Sequence, residues 1–379
     1  MDYANGLSIA YERFEKSMKI LHVITSLQTG GAEKLVTDIV PMLKMKGADV
    51  DVCLFDGQET AFKKRWENTG CKIYSFSNGG NVDNPLNILR LTRLMRHYDI
   101  VHTHNTAPQL FGAIGSVLCS VVMRHYCELI TTEHNTSNRR RHWKWYVYID
   151  RWMYHRYKRI ICISNQAEEN LRLHLKRDNL QIKTIFNGVS VESFHNAQPI
   201  ASMKASERFV VIMVAGFRYQ KDQDTLIRAV SMLSEKDYEL WLVGDGERRK
   251  ELEGLVEGLG LQDRVRFLGL RTDVAELLHT ADVVVMSSHW EGLSLSNIEG
   301  MSVGKPFVAS DVDGLHEVTD GYGILFPHGD ADKLAEIITR LHDDKAYYDK
   351  IAAACYERAK QFDINKTVDG YFDVYSELV

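Results

Sequence analysis

The feature that most restricts this chain is a rhythm. Short β-branched apolar runs alternate with amphipathic helical stretches, and the series occurs twice. KILHVITS, ADVDVCLF, DIVHTHN, ELITTEHN, RIICIS and KTIFNGV mark the first set; FVVIMVAG, YELWLVGDG, RVRFLG, ADVVVMSS and KPFVAS mark the second. Strands separated by helices form parallel sheets with helices on both faces. Helical spacing is plain in Leu226, Ile227, Val230 and Leu233, between two of the runs. A polar, weakly patterned segment, residues 190–208, separates the two series and reads as a linker. At 379 residues the chain also exceeds what one core usually serves, so two domains are expected. Ligands of doubly wound sheets sit outside the carboxyl ends of the strands. The residues just after each run are therefore the ones to read for function.

Charge divides along the same line. Residues 1–199 carry 26 Lys+Arg against 19 Asp+Glu, and the remainder carries 20 against 32. A basic half joined to an acidic half fits two domains with different partners, and the modest excess does not suggest nucleic acid. Residues 1–17 precede the first strand, are polar and charged, and lack the apolar stretch of a secretory signal. The longest apolar run, residues 110–123, falls short of the ~20 residues that span a bilayer. Six cysteines without a CxxC pair read as reduced core residues of a cytosolic protein.

Five motifs lie at strand ends. Thr29-Gly30-Gly31-Ala32-Glu33 turns the first strand into a helix; its glycines admit a ligand to the backbone or simply make a tight turn. Its spacing is not GxGxxG, so the dinucleotide fingerprint is unmet. His102 and His104 follow DIV and read as packing or supporting histidines, while His134 ends a central strand and is better placed to touch a sugar hydroxyl. Arg218 and Lys221, in GFRYQKD, either clamp a diphosphate or belong to a solvated first helical turn. Gly244-Asp245-Gly246 leaves room for a flat base or ribose, or is an ordinary turn with Asp245 as cap. In Glu291-Gly292-Leu293-Ser294-Leu295-Ser296-Asn297-Ile298-Glu299, one carboxylate precedes a helix and another lies within it. Free amides there suit a phosphate or sugar, although Ser296 and Glu299 also fit a capping box.

In this order the motifs resemble the retaining glycosyltransferases of family 4. The matching pieces are TGGAE, TTEHN, ICISN, FNGV, FRYQKD, VGDGE and the E-x7-E pair Glu291/Glu299. The resemblance implies an α/β chain of GT-B fold, two Rossmann-like doubly wound parallel-sheet domains facing across a cleft. Its expected boundaries are an N-terminal extension over 1–17, an acceptor-binding domain over 18–195 and a nucleotide-sugar-binding domain over 196–361. A C-terminal helix over 362–379 would cross back to the first domain. Gly30 and Gly31 would lie beside the donor phosphates and His134 beside the donor sugar. Arg218 and Lys221 would hold the diphosphate, and Gly244 and Gly246 would border the donor. Glu291 would contact sugar hydroxyls, Gly292, Leu293 and Ser294 would offer amides, and Glu299 would bind the ribose. One departure stands out: aligning on Gln220-Lys221-Asp222 places Gly216 where many relatives carry an Arg. Arg218 would then have to reach the phosphate from two residues later.

The implied chemistry is retaining transfer of a hexose-type sugar from a nucleotide-diphosphate donor, a UDP-sugar being favoured, to a glycan or lipid-linked glycan. The leaving diphosphate would take the acceptor's proton, with positioning and fixed charge supplying catalysis. No metal is expected. The Asp-x-Asp pairs fall on a strand's polar face at Asp49/Asp51 and a helix start at Asp222/Asp224, while Asp311/Asp313 follow a strand. Residues 138–159 hold eight Lys+Arg and seven Trp or Tyr. Arg139, Arg140, Arg141, Trp143 and Trp145 thus suit an anionic membrane surface or a lipid-pyrophosphate acceptor, or belong to a packed helix with solvated charges. The expectation is a bacterial surface-polysaccharide enzyme, cytoplasmic and peripheral on the inner membrane face. A GT-B sugar-nucleotide epimerase is the nearest alternative. A nicotinamide oxidoreductase would need the absent GxGxxG.

Overall fold

The short β-branched runs become the strands of two all-parallel sheets, each covered by helices on both faces. The computed structural model describes residues 18–28, 30–66, 69–134, 145–176, 180–204, 208–234 and 237–378. The chain divides into two compact units, Met1–Phe186 with Thr367–Val379, and Asn187–Lys366.

The first unit holds β1 (Lys19–Ile24), β2 (Asp49–Leu54), β3 (Ile73–Ser75), β4 (Ile100–His104), β5 (Glu128–Glu133), β6 (Arg159–Cys162) and β7 (Ile182–Thr184). Their order is β3-β2-β1-β4-β5-β6-β7. The second unit holds β8 (Phe209–Val214), β9 (Tyr238–Val243), β10 (Val265–Gly269), β11 (Val283–Met286), β12 (Phe307–Ser310) and β13 (Ile324–Phe326), in the order β10-β9-β8-β11-β12-β13. Each is the Rossmann order, whose direction reverses between the first and fourth strands. The ligand-binding positions are thus the ends of β1 and β4 in one unit and of β8 and β11 in the other.

Period-two alternation sorts the first sheet's side chains. Leu21, Val23, Val101, Leu129, Ile160 and Cys162 join one hydrophobic cluster with Phe55, Phe111 and Tyr154. The opposite face is unusually polar: His22, His102, His104 and Thr132 are all fully buried on it. Register places His22 beside His102 on adjacent strands. The helix Ile364–Ser376 contributes Tyr371 and Tyr375, also fully buried, whose hydroxyls bond to this face.

Three readings of the sequence change. The apolar run at 110–123 belongs to a longer helix, Thr106–Met123, which by length and composition alone would reach across a membrane. Instead it lies between β4 and β5 in the chain and buries Phe111, Ala113, Gly115 and Cys119. The segment read as linker contains a short helix, Val191–His195. Strands β3 and β13, three residues each and at sheet edges, are additions to the runs found by pattern. All six cysteines are free, five of them buried.

Candidate active site

The loops after β8 and β11 bring the strongest motif pair together. Lys221 ends a short 3-10 turn, Tyr219–Lys221, held by its amide bonding to the Arg218 carbonyl at 3.0 Å. Asp222 follows at a φ of 46° and caps the helix Gln223–Ser231, accepting from Thr225. Across the switch point, Glu291 is buried and accepts from Lys221 Nζ, from Ser288 Oγ at 2.7 Å and from Gln220 Nε2 at 3.4 Å. Two further bonds stitch the loops: the His289 amide donates to the Gln220 carbonyl at 2.8 Å, and the Ser287 hydroxyl to the Asp222 carbonyl at 2.7 Å. A cation and a carboxylate therefore stand at fixed positions where an α/β sheet binds its ligand.

The remaining candidates of the second unit divide into two kinds. Arg218 is exposed, and its side chain has no ion-pair partner among the described residues. Leu293 is buried, Gly292 and Ser294 are half-buried, and they lead into the helix Leu295–Ser302, whose third amide, that of Asn297, donates to the Ser294 carbonyl at 3.2 Å while its first two have no intrahelical carbonyl to meet. That helix starts at Leu295 with Ser294 as its N-cap, so the Ser296–Glu299 capping box does not form. Glu299 lies within the helix and is buried. Gly244 and Gly246 are explained by packing. A Cβ on Gly244, which has a φ of 138°, would lie 2.1 Å from the Ala215 carbonyl oxygen, and one on Gly246 would lie 2.5 Å from that of Phe217. They let the segment before Arg218 pack tightly. Asp245 bonds to the Gly246 amide and caps no helix; Arg248 precedes the helix Arg249–Gly258.

Sequence reasoning passed over Gln220, Ser287 and Ser288, which fix the Lys221 and Glu291 loops. Two consecutive serines after an apolar run were the available signal. It also passed over Gly314, at a φ of 80°, where a Cβ would lie 2.2 Å from the Gly292 carbonyl oxygen. Exposed Tyr219 and Trp290 flank the pair, their rings 6.0 Å apart.

In the first unit, Gly31 opens the helix Gly31–Met45 and Gly30 precedes it. No atom lies within 4 Å of a Cβ built on Gly31, so internal packing does not require glycine there. Glu33 accepts from Asn105 Nδ2 at 3.1 Å, linking the loops after β1 and β4, and burial raises its carboxyl above the ordinary range. His134 follows β5, half-buried, with Nε2 2.9 Å from His104 Nδ1. Burial lowers His134 and His22 to about 3 and holds His102 and His104 well below the ordinary range, so all four are neutral at pH 7. His102 and His104 pack in the core as expected. Arg139, Arg140, Arg141 and Trp143 lie outside the described residues; Trp145 is exposed.

Among the described residues two groups have the spacing of metal ligands, His22/His102/His104 and Asp222/His289/His328, with ligand atoms within 4.8 Å of one another. One member of each Asp-x-Asp pair has another partner: Asp51 accepts from Tyr98, Asp224 pairs with Arg248 and Asp311 with His316.

Residues 29–193 match the family model described as Glycosyltransferase Family 4, and residues 196–362 match that of Glycosyl transferases group 1. The chain is a glycosyltransferase of this family. It is 26% identical over 389 aligned positions to an Escherichia coli UDP-Gal:alpha-D-GlcNAc-diphosphoundecaprenol alpha-1,3-galactosyltransferase, covering 96% of this glycosyltransferase and 97% of that one. It is 28% identical to the lipopolysaccharide core biosynthesis glycosyltransferase LpsD of Rhizobium meliloti, covering 96% and 99%. Among solved structures, Anabaena HepE in complex with UDP and glucose superposes with a TM-score of 0.82 at 25% identity, over 95% of this glycosyltransferase and all of HepE. The two Rossmann-like sheets are those of a GT-B glycosyltransferase.

Proposed function

We propose that this glycosyltransferase moves a hexose from a UDP-sugar, with retention of anomeric configuration, onto a glycan borne on a lipid diphosphate in bacterial surface-polysaccharide synthesis. The observation that carries the reading is the Lys221–Glu291 pair at the ends of β8 and β11. Lys221 and Arg218 would neutralise the departing diphosphate, Glu291 would hold hydroxyls of the sugar and Glu299 those of the ribose. Amides of Gly292, Leu293 and Ser294 would add partial positive charge. Gly31 would admit a phosphate to the backbone, and His134 would meet a sugar hydroxyl. Gly244 and Gly246 would shape the donor pocket by letting the Arg218 loop close down.

With these cations the leaving group needs no metal to stabilise it. UDP on HepE and the UDP-galactose and diphosphoundecaprenol of the E. coli relative's name support the donor and acceptor classes. Exposed Trp145, Tyr148 and Trp152, spaced along one helical face, support peripheral contact with the cytoplasmic membrane surface.

The test offers UDP-, GDP- and ADP-hexoses, with EDTA, to the enzyme and a synthetic lipid-diphosphate glycan. Transfer from a UDP-sugar giving the donor's own anomer by NMR is expected. Activity abolished by EDTA, an inverted product, or an epimerised donor released without acceptor would each overturn the corresponding part. Trp145→Ala with Trp152→Ala should weaken binding to anionic vesicles; unchanged binding would remove the membrane surface from the reading.

A further inference from the structure

Seven side chains of the first unit form a single hydrogen-bonded chain that ends at His134. Tyr371 Oη lies 3.0 Å from Thr132 Oγ1, which lies 2.8 Å from His102 Nε2. His102 Nδ1 lies 2.6 Å from Tyr375 Oη, and that oxygen 3.2 Å from His22 Nε2. His22 Nδ1 lies 3.0 Å from His104 Nε2, and His104 Nδ1 lies 2.9 Å from His134 Nε2.

The proton count fixes its polarity. A hydroxyl and a neutral imidazole each carry one polar hydrogen, and an imidazole that donates from one nitrogen accepts at the other. Seven hydrogens thus serve six contacts, and the spare one leaves either at an end or from a hydroxyl that accepts on both sides; Thr132 and Tyr375 are fully buried and meet no acceptor outside the chain among the described residues, so it leaves at an end. At the Tyr371 end it would be sealed in: the residue is fully buried, and its hydroxyl meets no acceptor but Thr132 among the described residues. At the other end His134 Nδ1 is also buried and has no hydrogen-bond partner among the described residues, but His134 stands at the carboxyl end of β5, where a doubly wound sheet takes its ligand. An orphaned buried donor is costly, and only at the His134 end can the oxygen of a bound ligand relieve it. All six bonds therefore point from Tyr371 toward His134.

We infer that His134 is held as the Nδ1–H tautomer, with His104 as the positioning residue that imposes it, and that it donates a hydrogen bond to an acceptor oxygen of the bound sugar rather than serving as a base. The oxygen's identity rests on the donor-sugar role given to His134 above; the tautomer does not. His104 delivers a proton to His134 Nε2 and so keeps that nitrogen as the acceptor. The fixed core turns a side chain that ordinarily populates both tautomers into a directed donor.

Two-bond 1H–15N correlation spectra of histidine-labelled enzyme test this, with the His134 signals assigned by their loss in His134→Asn. The expected spectrum has a protonated Nδ1 and a bare Nε2, in a ratio of about ten to one or more. A protonated Nε2 in the wild-type enzyme would overturn the inference without any variant. His104→Met removes the proton delivered to Nε2, so His134 should become a tautomer mixture and kcat should fall several-fold more than donor KM rises. An unchanged His134 spectrum in a folded His104→Met enzyme would overturn the positioning role. His134→Asn, which keeps an N–H near the Nδ1 position, should retain more turnover than His134→Ala. Wild-type turnover by His134→Ala would remove His134 from the reaction while leaving the tautomer result to stand or fall separately.

Discussion

Glu291 is the residue on which the second unit's chemistry turns, because a buried carboxylate persists only if it is paired and hydrogen-bonded. Its partners are Lys221, Ser288 and Gln220. Replacing Lys221 by Ala removes the cation and strands the carboxylate. We expect a loss of roughly 2 kcal/mol, less than for a fully buried pair because the Lys221 side chain keeps 19% of its surface exposed. Adding Glu291→Gln should restore much of that stability in a denaturant-unfolding cycle while leaving transfer activity low. A double variant no more stable than Lys221→Ala would refute the coupling. The sequence made this pair visible through QKD and the E-x7-E spacing. It left Gln220, Ser287 and Ser288 unmarked, since nothing in a serine's local pattern reveals that its hydroxyl will reach across a switch point.

The elements found by pattern are the short β-branched runs set between helical stretches. The central strands β8 and β11 were legible as continuous apolar runs because helices cover both their faces, whereas β1 and β4 were legible although His22, His102 and His104 interrupt them. Edge strands β3 and β13 escaped with three residues each, whereas the equally short edge strand β7 was found inside the longer run KTIFNGV. The capping box offered by Ser296 and Glu299 would start this helix two residues late, since Ser294 is its N-cap. Glycines were legible as turns but not as spacers. Gly244→Ala would press a Cβ into the Ala215 carbonyl at an already unfavourable φ. It should cost about 2 kcal/mol or more and lower transfer by displacing the Arg218 loop. Wild-type stability and turnover in that variant would show that the loop does not depend on this approach.

At the scale of the whole molecule, two Rossmann series were readable from the alternation alone, whereas the polar face of the first sheet was not. His22 and His102 are eighty residues apart, and their meeting depends on β1 lying next to β4. The burial of neutral histidines makes the fold sensitive to acid. Above 6.5 the imidazoles are neutral whether folded or not; below it the unfolded chain binds protons that the fold refuses down to about 3. Stability should therefore fall as pH drops through this window, by about 1.4 kcal/mol per pH unit for each such histidine. Unfolding free energies at pH 7.5 and 5.5 should show a loss smaller by about 1 kcal/mol in His22→Asn than in the wild type. An equal loss in both would mean that His22 is not held neutral.

The polypeptide leaves its first unit at residue 186 and re-enters it at 367. During synthesis the first sheet is complete long before the hydroxyls of Tyr371 and Tyr375 exist to meet His102 and Thr132. Until then its histidine-lined face has no lid, and the half-made enzyme must wait on a second, separately folding body before the first can close.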